Sequence, residues 1–368
     1  MIQSISMREA EVSENLARMR LWLLEAQAGA IRLRGVDWFS WATAGGLNVV
    51  LLSAETGVAQ LLVTPHHAYV MTDEIEVLRL QDEEVPPGWE WHVIPWMEPE
   101  LRERFVADAA AGAAILSDRP AAGEKPLPPA CQIERLILSA AEQQRLREVG
   151  RLAASAMSEV MHAARPDWSE LELAGAGAGA LWARGLQPVL TLAAGQRRLP
   201  KYRHATPSTD LLGDEAMLVF CARGFGLVVS LTRFVEFAPR SAKQRQQQAS
   251  LRKIEAAGLQ ACRAGQPLSG VYKALEQAYR VEGFPQAIRE HHQGGIAGYL
   301  AREIMATASS EQLLAEGMAL AFNPSLPGSK LEDTFLLQAE QLENLTLDAR
   351  WPTTMEQGRS RPLPLESA

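Results

Sequence analysis

Cysteine is scarce: Cys131, Cys221 and Cys262 are the only three in 368 residues. They are too few and too scattered for a disulfide framework or a zinc ribbon. No stretch approaches the ~18 uncharged apolar residues of a membrane span, so no membrane partner is expected. The opening MIQSISMREAEVSENLARMR carries Glu and Arg and has no apolar core of a signal peptide, and a soluble cytoplasmic protein is expected. A basic excess is also missing. With 36 Lys+Arg against 44 Asp+Glu the net charge is −8, which argues against a general nucleic-acid binder. What is present is ordinary for a chain with a real core: 47% hydrophobic and 22% charged residues, which excludes a wholly disordered chain. At ~100–200 residues per domain the length suggests two domains. The 44 carboxylates and 7 histidines are ample material for a metallohydrolase, so their positions decide the matter.

Along the chain, residues 8–27 read as an amphipathic helix with Leu16, Met19, Leu23 and Leu24 at helical spacing. AIRLRG (30–35), NVVLLS, VAQLLVT and HAYVMT read as strands, followed by WHVIPW (91–96), a helix over 101–111 and a strand in 113–120. This mixture predicts an α/β domain over 1–125. AAGEKPLPPA (121–130) holds three prolines and a glycine, and the linker is placed at 126–130. A second domain then spans 131–368. In it, Ser139 with Glu142 and Ser169 with Glu172 have capping-box spacing. The second of these helices contains AGAGAGA (174–180). With no Lys-Ser/Thr pair after it, close packing against a sheet explains it better than a phosphate loop. The pattern helix–Pro–Ser–helix–Gly recurs at 241–283, a weak internal duplication that implies two αα units laid on a shared sheet. Strands are expected at 215–221, 226–235, 317–323 and 331–338, and a loose polar tail after about 352.

Four segments carry chemistry-bearing side chains: KYRHATPSTD (201–210), SLTRFVEF (230–237), EHHQGGIAGYLARE (290–303) and NPSLPGSKLEDTFLL (323–337). Each has a bland alternative: a solvated loop His, an edge-strand Arg, a tight glycine turn, a hairpin with a charged rim.

Taken together and in this order, the four segments resemble the pita-bread peptidases, the family of methionine aminopeptidase, aminopeptidase P, prolidase and creatinase. The resemblance spans roughly residues 140–350, and the N-terminal half resembles the creatinase-type domain of the longer members. It implies an α/β N-terminal domain plus an α+β pita-bread C-terminal domain, two αα-ββ halves around a curved mixed sheet. It also implies a dinuclear Mn, Zn or Co centre on five ligands. The family's D-x-T-R pattern falls on Thr232-Arg233, which puts the two Asp ligands at Val219 and Ser230. The G-H-G-x-G segment reads Gly294-Gly295-Ile296-Ala297-Gly298, with the His position at Gly295. The E-P pair reads Asn323-Pro324, and only Glu332, in EDTF, keeps its carboxylate. Val and Gly offer no donor atom, and Ser and Asn are weak ligands for hard cations, so no metal cofactor is expected.

What the resemblance leaves is a set of candidate site residues. His204 takes the family's substrate-side His position, and His291 matches a second site His of the proline-specific members. Arg302 stands where those members have another His, with Glu303 beside it. The expected catalytic set is therefore His204, His291 and Glu332. The expected substrate-binding set is Arg302, Arg233, His292, Glu303, Lys330 and Asp333. Such a pocket favours a small carboxylate-bearing molecule or a short peptide. Three functions remain open: a metal-independent hydrolase of a C–N bond with His as acid–base, a non-catalytic pseudo-peptidase that binds a ligand, and a metal-dependent Xaa-Pro-type peptidase with unfamiliar ligands such as His204, His291 and Glu332. Cys221 would add a thiol chemistry if an imidazole stood beside it. The resemblance further implies a homodimer.

Overall fold

The computed structural model describes residues 5–339 and 341–367. The chain divides into two units, Met1–Arg135 and Leu136–Ala368.

The first unit opens with helix α1 (Ile5–Ala26), strand β1 (Ala30–Gly35) and helix α2 (Val36–Ala42). Strands β2 (Thr56–Val63) and β3 (Ala68–Asp73), the short helix α3 (Val77–Arg79), β4 (Glu90–Ile94), α4 (Glu100–Ala110), β5 (Ile115–Ser117) and β6 (Lys125–Pro126) follow, and α5 (Pro129–Arg135) closes it. The six strands form one mixed sheet in the order β4-β3-β2-β1-β5-β6. The alternation in AIRLRG becomes β1 as expected, with Ile31 and Leu33 fully buried. NVVLLS does not form a strand: residues 48–53 are irregular, and Val50 and Leu51 are exposed. An apolar run without a paired partner has no ladder to satisfy its backbone, and the turn after it wins. The proline-rich stretch is not a free linker either. Lys125-Pro126 lines up parallel to β5, and Pro129 starts α5, the position where proline's missing N–H costs nothing. Arg135 in that helix reaches Asp37 at 2.9 Å, so the division between units falls ten residues beyond 125.

The second unit contains two similar halves. In the first, α6 (Ala140–Ala163) and α7 (Glu170–Trp182) pack on β7 (Gln187–Gly195), β8 (Glu215–Gly224) and β9 (Leu227–Glu236). In the second, α8 (Ala242–Ala261) and α9 (Leu268–Val281) precede β10 (Gly294–Ala297), β11 (Ile304–Met305) and β12 (Ala319–Phe322). The short pair β13 (Ser325–Leu326) and β14 (Ser329–Lys330) leads into β15 (Asp333–Leu337) and β16 (Leu342–Asn344). Capping boxes at Ser139, Ser169 and Ser241 make both reciprocal bonds, so three of the four long helices start where sequence places them. The glycine helix packs as expected: a Cβ on Gly177 would stand 2.7 Å from the Phe220 ring.

The halves join through β9 and β15. Thr232 bridges to Glu332, and the Thr334 hydroxyl accepts from Ser230 N–H at 2.8 Å and donates to Ser230 C=O at 3.0 Å. The tail is not loose. Strands β17 (Thr353–Glu356) and β18 (Arg359–Pro362) form a hairpin, and β19 (Leu365–Glu366) runs parallel to β9. Arg361 of β18 is buried against Glu255 and Asp333. Its polar composition hides this order, because charge pairing rather than apolar periodicity buries it.

Candidate active site

Register fixes which side chains share a face. In the β8–β9 ladder Val219 stands opposite Thr232 and Cys221 opposite Ser230, so these four point to one side. Arg233, paired with Leu218, points to the other. On the first side lies Glu332, fully buried. Its Oε1 accepts from Arg302 Nη2 at 2.8 Å, and its Oε2 accepts from Thr232 Oγ1 at 2.8 Å and pairs with Lys330 Nζ at 2.8 Å. Arg302 also donates through Nη1 to Ser230 Oγ at 3.1 Å, while its buried Nε has no partner. Burial alone would raise the Glu332 carboxyl, but Lys330 and Arg302 outweigh it and hold it at about 2.

Three imidazoles form the second part of the site. His204 comes from the loop between β7 and β8, and His291 and His292 from the turn after α9. His204 Nε2 and His291 Nε2 are 3.0 Å apart, and the His291 and His292 rings stack with centroids 4.4 Å apart. One ring nitrogen from each of the three lies within 4.8 Å of the others. His204 is exposed, whereas His291 is 8% exposed. The Nδ1 atoms of His291 and His292 are buried without a hydrogen-bond partner. Burial, with Lys330 next in effect, pushes His291 down to about 3; burial and Arg302 push His292 to about 4. His204 moves the same way, through burial and Lys330. All three shifts favour the neutral imidazole. The turn is held from behind by Gln293, which donates to His291 C=O at 2.7 Å and accepts from Tyr279 OH at 3.2 Å.

The structure therefore brings together His204, His291, His292, Arg302, Lys330 and Glu332. It does not bring the other expected residues there. Arg233 and Asp333 pair with each other at 2.7 Å, and Asp333 also meets Arg361 at 2.8 Å, in a buried network away from the histidines. The reason is alternation: Asp333 and Arg233 each directly follow a residue that faces the site. Glu303 accepts from Tyr299 and Leu300 N–H at 3.0 and 3.2 Å and closes the turn after β10. Cys221 lies 3.5 Å from the Ser230 hydroxyl, and burial pushes its thiol up, opposite to what a nucleophile needs. Sequence reasoning overlooked Thr232 as a participant; its signal was the side it shares with Ser230 at strand spacing.

The four other expected ligand positions are also defined. Val219 packs with Met217, Phe234, Ala205 and Leu199. At Gly295, a Cβ would stand 2.0 Å from Ile304 O and 3.0 Å from Ala306 N. Ser230 accepts from Arg302. Asn323 is buried with its Oδ1 unpartnered. The cleft beside Lys330, between Tyr202, Arg203, Ser325 and Ser329, has about 10 Å³, room for about one water. Larger clefts of 240 and 360 Å³ elsewhere in the unit are lined by none of the site residues.

The model of metallopeptidase family M24 matches residues 144–339, which contain this whole constellation. The chain belongs to metallopeptidase family M24. Its fold is shared with solved structures at low identity. An Xaa-Pro dipeptidase from Bacillus anthracis aligns over 96% of this chain and 99% of its own, with TM-score 0.77 and 16% identity. The dipeptidase PepE from Mycobacterium ulcerans aligns over 97% and 98%, with TM-score 0.74 and 19% identity. The N-terminal domain of FACT complex subunit SPT16 from chickpea aligns over 94% and 96%, with TM-score 0.69 and 13% identity. No curated protein matches the chain by sequence. Among the described residues no helix of this M24 chain is long and apolar enough to cross a membrane.

Proposed function

We propose that this M24 chain hydrolyses a C–N bond in a small carboxylate-bearing substrate, a short peptide or acyl amino acid, without a dinuclear metal centre. The observation that carries the proposal is the clamp on Glu332. Two divalent cations need bridging carboxylates. Here the one remaining carboxylate has both oxygens engaged by Arg302, Lys330 and Thr232. Val219 offers only methyl groups to an apolar cluster, and Gly295 has no room for a side chain. The donor set does not fit two metals, and no step is assigned to them.

The clamp leaves one net positive charge, and Arg302 Nε is a buried donor without a partner, which a substrate reaches once the one-water cleft beside Lys330 widens. A guanidinium and an ammonium so placed suit a carboxylate. His204, exposed and hydrogen-bonded to buried His291, takes a proton from water as the water attacks the scissile carbonyl, then passes it to the leaving nitrogen. His291 positions that imidazole. Glu332 stays ionised and holds the cations in place, an orienting role rather than a proton-carrying one.

A second function has its own support. Imidazoles pushed to about 3 and about 4 are weak bases, which suits a pocket that binds a carboxylate without cleaving it. The chickpea domain of the same fold is named as a complex subunit.

The test is turnover of dipeptides, N-acyl amino acids and guanidino acids in the presence of EDTA. Hydrolysis that survives EDTA, falls ~10²–10⁴-fold in His204→Ala and shows a raised KM in Arg302→Met supports the hydrolase. No turnover by the wild type, with carboxylates still raising its melting temperature, favours the binding module.

A further inference from the structure

We propose that His204, His291 and His292 form a binding site for one divalent transition-metal ion of nitrogen preference, zinc being the probe of choice. This site is not the one expected from the family, since none of its ligands stands at Val219, Ser230, Gly295, Asn323 or Glu332. Three observations carry it. One nitrogen from each ring lies within 4.8 Å of the others. A tetrahedral zinc ~2.0–2.1 Å from each nitrogen sets them roughly 3.3 Å apart, so the stacked His291 and His292 rings must turn until their in-plane lone pairs converge on the ion. The His291 and His292 Nδ1 atoms are buried and have no hydrogen-bond partner, and His291 is itself more than nine-tenths buried. Finally, the scaffold is built: Gln293 and Tyr279 fix the turn that presents both buried rings.

The chemistry selects the ion. Neutral imidazoles suit zinc, copper and nickel, whereas manganese and magnesium prefer carboxylate and water oxygen. Lys330 and Arg302 oppose a nearby cation, and Glu332 cancels one of the two charges. The fourth coordination position is open to an anion, which offsets the remaining charge. Under the proposed hydrolase chemistry, a bound ion takes the lone pair that His204 needs, so zinc opposes turnover rather than assisting it.

The experiment is equilibrium dialysis of the full chain, stripped with chelator, against zinc and separately against manganese, with bound metal measured per chain. Cobalt absorption spectra serve as a second readout of nitrogen coordination. His204→Ala is the primary variant, because His204 is exposed and its loss opens no core cavity. One zinc per chain, no comparable manganese binding, and at least ~10-fold weaker zinc binding in His204→Ala are expected. No saturable zinc binding overturns the proposal. So does zinc binding that His204→Ala leaves unchanged, and so do two equivalents with manganese bound as well as zinc. Hydrolysis in EDTA is measured separately, so either proposal can fail while the other stands.

Discussion

Thr232 donates its hydroxyl to Glu332 across the junction of the two halves, and Val219 stands directly opposite Thr232 in the ladder. A valine methyl and a threonine hydroxyl thus occupy the wall where the family resemblance places a carboxylate. The Glu332 carboxylate is neutralised by Lys330 and Arg302.

Breaking that clamp from one side is costly. Glu332→Gln leaves two buried cations with no carboxylate, and a loss of about 3–5 kcal/mol is expected in urea unfolding. Lys330→Met leaves Arg302 and Thr232 to hold the carboxylate and costs less. The double variant falls short of the sum by ~1–3 kcal/mol, the coupling of groups in contact.

Acid reads the same clamp. The carboxyl titrates at about 2 in the folded chain and near its ordinary 4.5 when unfolded. The unfolded state therefore takes up the proton first. The contribution is complete above pH 4.5 and is lost as pH falls from 4.5 towards 2, about 3 kcal/mol in all. The stability gap between wild type and Glu332→Gln, followed by denaturant melts, stays constant above pH 5 and narrows below it. A gap that widens on acidification contradicts this assignment.

Placing an imidazole at Gly295, where the resemblance puts a ligand, fails on sterics. Gly295→His and Gly295→Ala both push a Cβ against Ile304 O, and each costs more than about 3 kcal/mol or prevents folding. The matching metal titration shows no gain of manganese binding. A stable Gly295→His chain that binds two manganese ions overturns the steric account.

The glycine helix separates packing from propensity. A Cβ at Gly175 or Gly179 meets nothing within 4 Å, so alanine there stabilises by about 0.5–1 kcal/mol. Gly177→Ala drives a methyl to within 2.7 Å of Phe220 and destabilises. Thermal melts of the three single variants check the order.

These features differ in how visible they are in the sequence. Ser139, Ser169 and Ser241 announce helix starts because a cap is a local interaction, complete within four residues. The order of the four motif segments places His204, His291, His292, Arg302, Lys330 and Glu332 in one site. Side-chain direction was harder. Arg233 and Asp333 lie next to site residues in sequence and face the other way, which needs the strand register to see. The Arg361 pairing was invisible, because Glu255 and Asp333 are distant in sequence and their attraction leaves no periodic trace.

That pairing ties the far end of the chain to β15, the strand that begins directly after Glu332. Asp333 is the neighbour of Glu332, and its charge is balanced by Arg361 from the last hairpin as well as by Arg233. Truncation before Arg359 strips Glu255 and Asp333 of their shared cation, leaving the strand that presents Glu332 on an electrostatically unbalanced floor. Shortened versions of this protein therefore keep the β17–β18 hairpin and β19, which pairs with β9.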